Sequence, residues 1–442
     1  MNEEKKNMRV KFYGAAREVG RSCILLESNN TKVLLDAGIK LGETTEYPAI
    51  DEAELRTVDA LIVSHAHLDH TGYIVHMFLK GWHNDIYATK PTLELMEVLL
   101  ADYIRLSKPE NAGKDLLVQI KKHFRPVGYN RRFQVKGLTA EFFNAGHILG
   151  SSIIRISDGR KSVIYTGDMN ATETRVLSGA DTSRLNADVL IMESTNGADD
   201  DVAIPVHEFS HAMLKSINDT IKQGGKVIIP SFAIGRGQEV LFRLNDYMRS
   251  GAIPKVPIYV DGMINRAMRI YKRNVTFCKP EVQKRISISK EDPFTSENFV
   301  EVDRRHRGKI ITSQESAIIV ATSGMLKGGP VLHYLQELAA NPAHKLMFVG
   351  FQAKGTLGRE IDEGARDVEI DGEKVNLKLA IEKKRISGHS DRTQLQLFPK
   401  RVKGLKRIFL VHGDEERMKQ LAEALKKKHK VDMPLLGEEF TL

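Results

Sequence analysis

Four side chains able to bind a metal ion lie within six residues of one another, in His65-Ala-His67-Leu-Asp69-His70. The motif follows an apolar run at 60–64 whose composition predicts a buried strand. Imidazole and carboxylate groups are ligands that suit zinc. In a tight loop after the strand, His65 and His67 can share one face while Asp69 and His70 turn toward a second ion. Such residues make poor core material, so the motif predicts a metal site.

One loop is too short to complete two metal sites, and the chain supplies further ligands after other predicted strands. His147 follows a predicted strand at 138–143, Asp168 follows one at 162–165, and His412 follows one at 407–411. A lone histidine is more often structural than a ligand, but together these residues meet the need of two zinc ions about 3.5–4 Å apart with a bridging carboxylate. Asp36, after an early strand, is suited to accept a hydrogen bond from a ligand imidazole.

The elements that must position these residues change in character along the chain. The first part reads as short strands at 8–12, 22–27 and 32–35, with a helix near 92–105. From about 205, helices near 205–223, 235–250 and 330–341 alternate with strands at 226–229, 256–260, 317–321 and 345–350, which predicts a parallel, Rossmann-like sheet. After about 358 short strands return, ending in a basic helix near 414–430. We expect one domain of 1–204 and 359–442, with the domain 205–358 inserted into it.

Composition limits the class of protein. Of 442 residues, 41% are hydrophobic and 28% are charged, which is typical of a globular protein. No stretch approaches the roughly 20 apolar residues that span a bilayer, and the amino terminus lacks the pattern of a signal peptide. The two cysteines, Cys23 and Cys278, form no CxxC motif. These features predict a cytoplasmic protein without a membrane partner.

The formal net charge of +9 bears on the partner. Basic residues cluster at 304–307, 383–385, 400–407 and 426–430. This distribution favours a polyanionic partner such as nucleic acid, but it fits a set of solvated basic faces equally well.

Several motifs together resemble a known family. His65–His70 with His147, Asp168 and Asp36 resembles the metal motifs of the metallo-β-lactamase superfamily. Met192-Glu193-Ser194-Thr195 and Ser387-Gly388-His389-Ser390-Asp391 resemble motifs A and B of the β-CASP nucleases, and His412 matches motif C. The resemblance spans about 8–442 and is strongest to archaeal cleavage-and-polyadenylation-factor-like ribonucleases without KH domains, with RNase J a more distant relative. It implies an α/β fold, namely an αββα sandwich with an inserted Rossmann-like β-CASP domain.

The resemblance also implies roles for individual residues. One zinc ion would take His65, His67, His147 and Asp168, and the other would take Asp69, His70, Asp168 and His412. Glu193 would pair with His389, and a carboxylate favours the charged imidazolium, so His389 would be the general acid. The expected reaction is hydrolysis of RNA to a 5′-phosphate and a 3′-hydroxyl, by endonuclease action, 5′→3′ exonuclease action or both. His412 favours RNA, because members acting on DNA usually carry valine at motif C.

Loops of the middle domain offer candidate phosphate contacts. Ser231 and Arg236, Ser323 and Gly324, and Gln352 lie in glycine-rich loops after predicted strands, where backbone N–H groups can hold phosphate. Ser387 and Ser390 of motif B complete the predicted RNA-binding set. Packing turns explain about half of such loops, and none is a Walker A motif.

Other functions stay open from the sequence. A small-molecule hydrolase would use the same zinc ions, a non-catalytic RNA-processing scaffold would have lost metal ligands that this chain retains in full, and a DNA nuclease is disfavoured by His412. Asn196 departs from the family pattern, since relatives often carry an aromatic residue there. RNA is the expected partner, and a homodimer or other RNA-processing proteins are left open.

Overall fold

The computed structural model describes residues 7–42, 44–384 and 387–442, so that the first six residues and Arg385 of the basic cluster 383–385 lie outside the described residues. The chain forms two compact units. Unit 1 takes in the chain up to Glu173, then Leu177–Val202 and His389–Leu442. Unit 2 comprises Thr174–Val176 and Ala203–Gly388. The domain boundaries at 204 and 358 stay a prediction, and the compact unit itself continues beyond 358.

The described residues of the amino-terminal part of unit 1 form thirteen strands and five helices. The strands are β1 (Arg9–Phe12), β2 (Ile24–Ser28), β3 (Thr31–Leu35), β4 (Lys40–Leu41), β5 (Thr45–Glu46), β6 (Ala60–Ile62), β7 (Asp85–Ala88), β8 (Phe124–Pro126), β9 (Arg132–Val135), β10 (Leu138–Asn144), β11 (Ser152–Ser157), β12 (Ser162–Tyr165) and β13 (Val189–Glu193). The helices are α1 (Glu52–Arg56), α2 (Leu68–Thr71), α3 (Ile74–Leu79), α4 (Lys90–Ser107) and α5 (Leu116–Lys122).

Unit 2 is built on a six-stranded sheet in which every pair of neighbours is parallel. Its helices are α6 (Val206–Lys222), α7 (Arg236–Arg249), α8 (Ile264–Arg273), α9 (Pro280–Ser287), α10 (Arg307–Thr312), α11 (Pro330–Leu338) and α12 (Leu357–Glu363). Its strands are β14 (Lys226–Pro230), β15 (Ile258–Asp261), β16 (Phe299–Glu301), β17 (Ala317–Ala321), β18 (Lys345–Phe348), β19 (Asp367–Ile370), β20 (Glu373–Asn376) and β21 (Ala380–Lys383). The sheet order β16-β15-β17-β14-β18-β21 confirms the predicted parallel, Rossmann-like sheet.

The chain then returns to unit 1 and completes its two seven-stranded sheets. The returning elements are α13 (Arg392–Leu397), β22 (Arg407–Val411), α14 (Glu415–Lys426), β23 (Lys430–Asp432) and β24 (Glu439–Thr441). One seven-stranded sheet has the order β24-β1-β2-β3-β6-β7-β8, and the other has the order β23-β22-β13-β12-β11-β10-β9. Both sheets therefore need strands from the distant carboxyl-terminal segment.

Side chains that alternate along β22 show how the layers pack. Phe409 and Val411 lie in a core between the two sheets, together with Phe12 of β1. Ile408 and Leu410 lie in a second core with Leu421 of α14, on the outer face of the same sheet. Because successive residues of a strand point to opposite faces, an apolar run of this kind is buried on both sides. The result is the predicted αββα arrangement.

Strand direction decides where the loops of the second sheet meet. The strands β12, β13, β22 and β23 are mutually parallel. The strand β10 runs in the same direction, because it is antiparallel to β11, which is antiparallel to β12. The residues that follow β10, β12, β13 and β22 are therefore gathered at one edge of this sheet, which we call the carboxyl edge. The residues that precede β12, β13, β22 and β23 lie at the opposite amino edge.

Some predicted elements differ at their ends. The basic helix predicted near 414–430 ends at Lys426, since the chain must turn before β23 begins at Lys430. The strand predicted at 345–350 ends at Phe348, and the following residues form a loop. Within the part of the chain that the structure describes, every helix is too short or too polar to cross a bilayer.

Candidate active site

The histidine motif is half loop and half helix. The strand β6 ends at Ile62, His67 caps the helix α2, and both Asp69 and His70 lie on that helix. The expectation of a simple loop is therefore only partly right. A β-carbon on Gly38 would lie 1.7 Å from the carbonyl oxygen of Asp69, so only glycine allows the chain to pass so close to the helix.

A first group of ligand atoms surrounds one oxygen of Asp168. The Nε2 atoms of His65 and His147 lie 3.5 and 3.7 Å from Asp168 Oδ2. Nδ1 of His67 lies 3.2 Å from His65 Nε2 and 3.3 Å from His147 Nε2. One ligand atom from each of these four residues lies within 4.8 Å of the others, which is a spacing that one metal ion can bridge.

A second group surrounds the other oxygen of the same carboxylate. His70 Nε2 lies 3.3 Å from Asp168 Oδ1, and His412 Nδ1 lies 3.4 Å from it. The Nε2 atom of His412 lies 3.3 Å from Asp69 Oδ2. These four residues again have ligand atoms within 4.8 Å of one another. Asp168 thus turns one oxygen toward each group.

Asp36 is fully buried and fixes His70 from behind. His70 Nδ1 donates to Asp36 Oδ2 over 2.7 Å, which leaves Nε2 directed toward Asp168. The same carboxylate accepts hydrogen bonds from the backbone N–H of Ser64 at 2.6 Å, from Ser64 Oγ at 2.7 Å and from Tyr165 Oη at 2.7 Å. Ser64 and Tyr165 were missed in the sequence, although each directly precedes a metal motif.

The pKa shifts in the first group favour the protonation states that bind a cation. Burial lowers the pKa of His65 well below its ordinary value, and His70 lowers it further. Burial likewise lowers the pKa of His67. Both imidazoles are therefore neutral near pH 7. Burial alone would raise the pKa of Asp168, but His412 and His70 hold it well below its ordinary value, so the carboxylate is ionised.

The residues present fit a metal ion at each group. Asp168 Oδ1 is buried and accepts no hydrogen bond from the residues that the structure describes. A buried carboxylate oxygen without a donor is costly, and a cation would remove that cost. Imidazole nitrogens and carboxylate oxygens are also the donor set that zinc takes in catalytic sites. The cluster is thus a metal-binding site.

A histidine–carboxylate pair lies beside the two groups. His389 Nδ1 is 3.0 Å from Glu193 Oε2 and 3.1 Å from Oε1, so it donates to this carboxylate. Glu193 is fully buried, whereas 22% of the His389 side chain is exposed. The Nε2 atom of His389 lies 3.9 Å from Asp168 Oδ2. The accessible nitrogen therefore faces the metal groups while the carboxylate holds the other.

Ser390 clamps the backbone that carries His389. Its N–H donates to the carbonyl of Met169 at 2.7 Å, and its Oγ accepts from the N–H of Ala171 at 3.0 Å. Its carbonyl oxygen accepts a hydrogen bond from Asn196 Nδ2 at 3.0 Å. Ser390 is fully buried, so this geometry favours a positioning role over the RNA contact expected from the sequence. The departure from the family pattern at Asn196 is part of this clamp.

The predicted phosphate-binding residues of unit 2 differ in burial and in their hydrogen bonds. Ser231 and Gln352 are almost fully buried, and Gln352 Nε2 donates to the carbonyl of Gly324 at 2.9 Å. Ser323 Oγ accepts from the N–H of Lys327 at 2.9 Å within its own loop. Ser387 lies next to Gly388, the last residue of the unit, and its contact with RNA stays a prediction.

Arg236 stands apart among these residues. Burial lowers the pKa of its guanidinium to about 10. Within the described ranges its side chain makes no hydrogen bond or ion pair. Nearby Glu239 accepts from Arg243 at 3.0 Å and from the N–H of Arg175 at 3.0 Å. A desolvated guanidinium of this kind is suited to an anionic ligand.

Comparisons with known proteins agree with this geometry. Residues 25–195 match the metallo-beta-lactamase superfamily domain, residues 237–361 match the Beta-Casp domain, and residues 374–434 match the Zn-dependent metallo-hydrolase RNA specificity domain. The chain is 37% identical to transcription termination factor FttA of Methanocaldococcus jannaschii over 442 residues, which cover 96% of this chain and 69% of that protein. It is also 37% identical to an RNase J-like protein of the same organism over 418 residues, which cover 94% of each chain.

A solved structure extends the comparison of folds. The chain superposes on a protein of unknown function from Enterococcus faecalis V583 with a TM-score of 0.59, covering 99% of this chain and 100% of that one. At 11% identity, this likeness shows the fold alone.

An αββα sandwich with this cluster of histidines and aspartates defines a hydrolase of the metallo-β-lactamase type. The inserted parallel sheet and the relatives narrow the class further. The chain belongs to the β-CASP family of the metallo-β-lactamase superfamily. It is therefore a metal-dependent hydrolase of RNA.

Replacing the shared carboxylate should affect both metal groups. Asp168→Ala should lose the ions of both, since each group faces one oxygen of Asp168. His147→Ala should lose metal from the first group only. Inductively coupled plasma mass spectrometry gives the metal content per chain, and Asp158→Ala, in a turn of the same unit, is the matched control. Equal metal content in Asp168→Ala and the unaltered protein would contradict the assignment.

The hydrogen bonds that hold Ser390 should affect the rate of RNA cleavage but not the metal content. Asn196→Ala removes the hydrogen bond to the Ser390 carbonyl, which is worth about 1 kcal/mol or roughly fivefold in rate if it serves the reacting geometry. We expect kcat to fall while KM and the metal content stay unchanged. Asn84→Ala is the control, because Asn84 Nδ2 also donates to a backbone carbonyl of unit 1, that of Val58. A fall in kcat of equal size in both variants would argue against a specific role.

Proposed function

We propose that this protein is a two-zinc ribonuclease of RNA processing or decay that leaves a 5′-phosphate and a 3′-hydroxyl. The observation that carries the proposal is the single carboxylate of Asp168 facing two ligand groups, with His389 Nε2 3.9 Å from it. Two metal ions held by these groups would serve in-line displacement at phosphorus, and a nearby imidazole can serve the leaving group. Cutting within the chain and from the 5′ end are both compatible with this centre.

The zinc ions would be held by His65, His67, His147 and Asp168 in the first group, and by Asp69, His70, Asp168 and His412 in the second. When bound, they would supply Lewis-acid stabilisation of the charge on the phosphate and activation of the attacking water. The protein itself fixes their ligands. Asp36 holds His70 in the tautomer that presents Nε2, and Ser64 and Tyr165 hold Asp36.

His389 and Glu193 would act as one unit. Glu193 accepts from Nδ1 and thereby favours the protonated imidazole. The proton on Nε2 is then available for the 3′ oxygen that leaves phosphorus. Met169 donates its N–H to Glu193 Oε1 at 2.7 Å, which keeps the carboxylate oriented.

Substrate class follows from the family and from the relatives. One relative is named an RNase J-like protein and others a transcription termination factor, and the matched carboxyl-terminal domain is described as an RNA specificity domain. Arg236, with no hydrogen bond or ion pair among the described residues, is the best candidate for a phosphate contact in unit 2. A substrate of this kind agrees with the cytoplasmic location expected from the sequence.

His389→Ala should separate chemistry from binding. We expect the variant to retain its metal ions and its affinity for RNA, and to cut roughly 10²–10⁴-fold more slowly, as for loss of a general acid. Glu193→Gln should give an equal or smaller loss, because it acts through the imidazole. The double variant should be little slower than His389→Ala, since paired groups act as a unit.

Metal analysis, RNA binding and single-turnover rates provide the three readouts, with His123→Ala as a histidine control in the same unit. If His389→Ala loses metal, His389 is a ligand, and the assignments of His389 as general acid and His412 as metal ligand are wrong. If His389→Ala cuts RNA at the normal rate, the assignment of His389 as general acid is wrong.

The mode of cutting can be read from labelled RNA. Substrates with a label at the 5′ end or within the chain, each carrying a 5′ monophosphate or triphosphate, should yield products ending in 5′-phosphate and 3′-hydroxyl. Internal fragments indicate endonuclease action, and mononucleotides released from the 5′ end indicate exonuclease action. DNA of the same sequence, a thioester and a β-lactam serve as competing substrates. Preferred hydrolysis of any of these three over RNA would overturn the proposal.

A further inference from the structure

Basic side chains of unit 1 gather at the end of the second sheet that is remote from the metal groups. Asp168 and His412 follow the carboxyl ends of β12 and β22, and Glu193 is the last residue of β13. The clusters 400–407 and 426–430 instead lie at the starts of β22 and β23. Arg407 and Lys430 are neighbours in the register of these two parallel strands, at the amino edge. The 5 residues of β22 span about 17 Å, so the two edges are separated by roughly that distance.

We call the exposed basic residues at this edge the amino-edge belt: Arg184, Lys400, Arg401, Lys403, Lys427, Lys428 and Lys430. Arg184 belongs to it because the backbone of Lys403 bonds to Leu185 and Ala187. Buried neighbours hold the belt in place, since Phe398, Val402 and Leu425 are part of the core under α14. The backbone that bears these positive side chains is thus fixed by packing against the core.

The belt charges are not neutralised within the described chain. None of its seven side chains forms an ion pair there, and the acidic groups at the same edge are already engaged. Asp188 binds Lys406 at 2.8 Å, Asp432 binds Arg407 at 2.6 Å, and Glu423 binds Lys426 at 2.9 Å.

The basic cluster at 304–307 differs from the belt. Arg305 pairs with Asp303 at 3.0 Å, and Arg307 pairs with buried Asp261 at 2.7 Å. Two of its charges therefore have partners within unit 2, whereas the belt offers its charges to a ligand.

We propose that the amino-edge belt binds the phosphate backbone of RNA at a distance from the bond that is cut. The inference rests on the RNA substrate proposed above. A row of exposed lysine and arginine side chains complements a polyanion with regularly spaced charges, and such contacts hold nucleic acid without reading its sequence. An RNA long enough to reach from the carboxyl edge to the amino edge gains these contacts, whereas an oligonucleotide of a few nucleotides does not.

Two triple variants test the belt. Lys400→Gln/Arg401→Gln/Lys403→Gln and Lys427→Gln/Lys428→Gln/Lys430→Gln are compared with Lys108→Gln/Lys114→Gln/Arg131→Gln. The control removes the same charge from exposed side chains of unit 1 that also form no ion pair within the described ranges. The metal-loaded proteins are assayed on an RNA of several tens of nucleotides and on one of a few nucleotides.

The belt variants should raise KM for the long RNA on the order of tenfold at low salt, with kcat and all values for the short RNA unchanged. The slope of log(kcat/KM) against log salt should become shallower by up to about 2, since each lost contact with a single strand contributes about 0.7. The control should match the unaltered protein.

A gel-shift assay of the long RNA with each variant measures RNA binding by the belt independently of cleavage. If the belt variants and the control bind the long RNA alike, the proposal is overturned, and the belt is solvated surface or a site for an acidic protein. If the unaltered protein cuts neither RNA, the ribonuclease proposal fails, while the gel shift still decides the belt.

Discussion

The carboxylate of Asp168 is the group on which the arrangement of the site depends. Only 3% of its side chain is exposed, and its two oxygens face four imidazoles from three segments of the chain. An ionised group in such a place is costly unless cations or metal ions compensate it. Metal binding and the local packing of unit 1 are therefore coupled, because the same carboxylate joins loops from β6, β10, β12 and β22.

Behind this centre the backbone is held in unusual conformations. Asp36 has φ +59° and His412 has φ +50°, both in the left-handed region that residues with a β-carbon seldom adopt. Each such residue costs on the order of 1–3 kcal/mol and persists only when its surroundings fix it. Asp36 is fixed by Ser64, His70 and Tyr165, and His412 by the hydroxyl of Thr195, which donates to its carbonyl at 3.1 Å. Two of the left-handed residues of unit 1 thus lie where the ligands must converge.

The second sheet of unit 1 places the candidate catalytic residues and the amino-edge belt at opposite edges. Its carboxyl edge gathers Asp168, Glu193 and His412, and its amino edge gathers the belt. Parallel strands make this separation possible, because all residues before the strands fall at one edge and all residues after them at the other. A substrate that is both long and anionic is the kind of ligand that such a sheet can hold at two places.

The sequence by itself determined the candidate metal ligands and the class of fold. His65, His67, Asp69 and His70 are recognisable from their spacing, and helix–strand alternation after 205 was sufficient for the parallel sheet. Tertiary structure alone decided which residues act together over long distances. The contact of Asn196 with Ser390, the role of Tyr165 beside Asp36 and the remoteness of the basic clusters from the metal groups depend on strand order and direction. Local pattern reports which face of an element is buried, whereas the pairing of β13 with β22, which brings Glu193 level with Val411, is set by packing of the whole core.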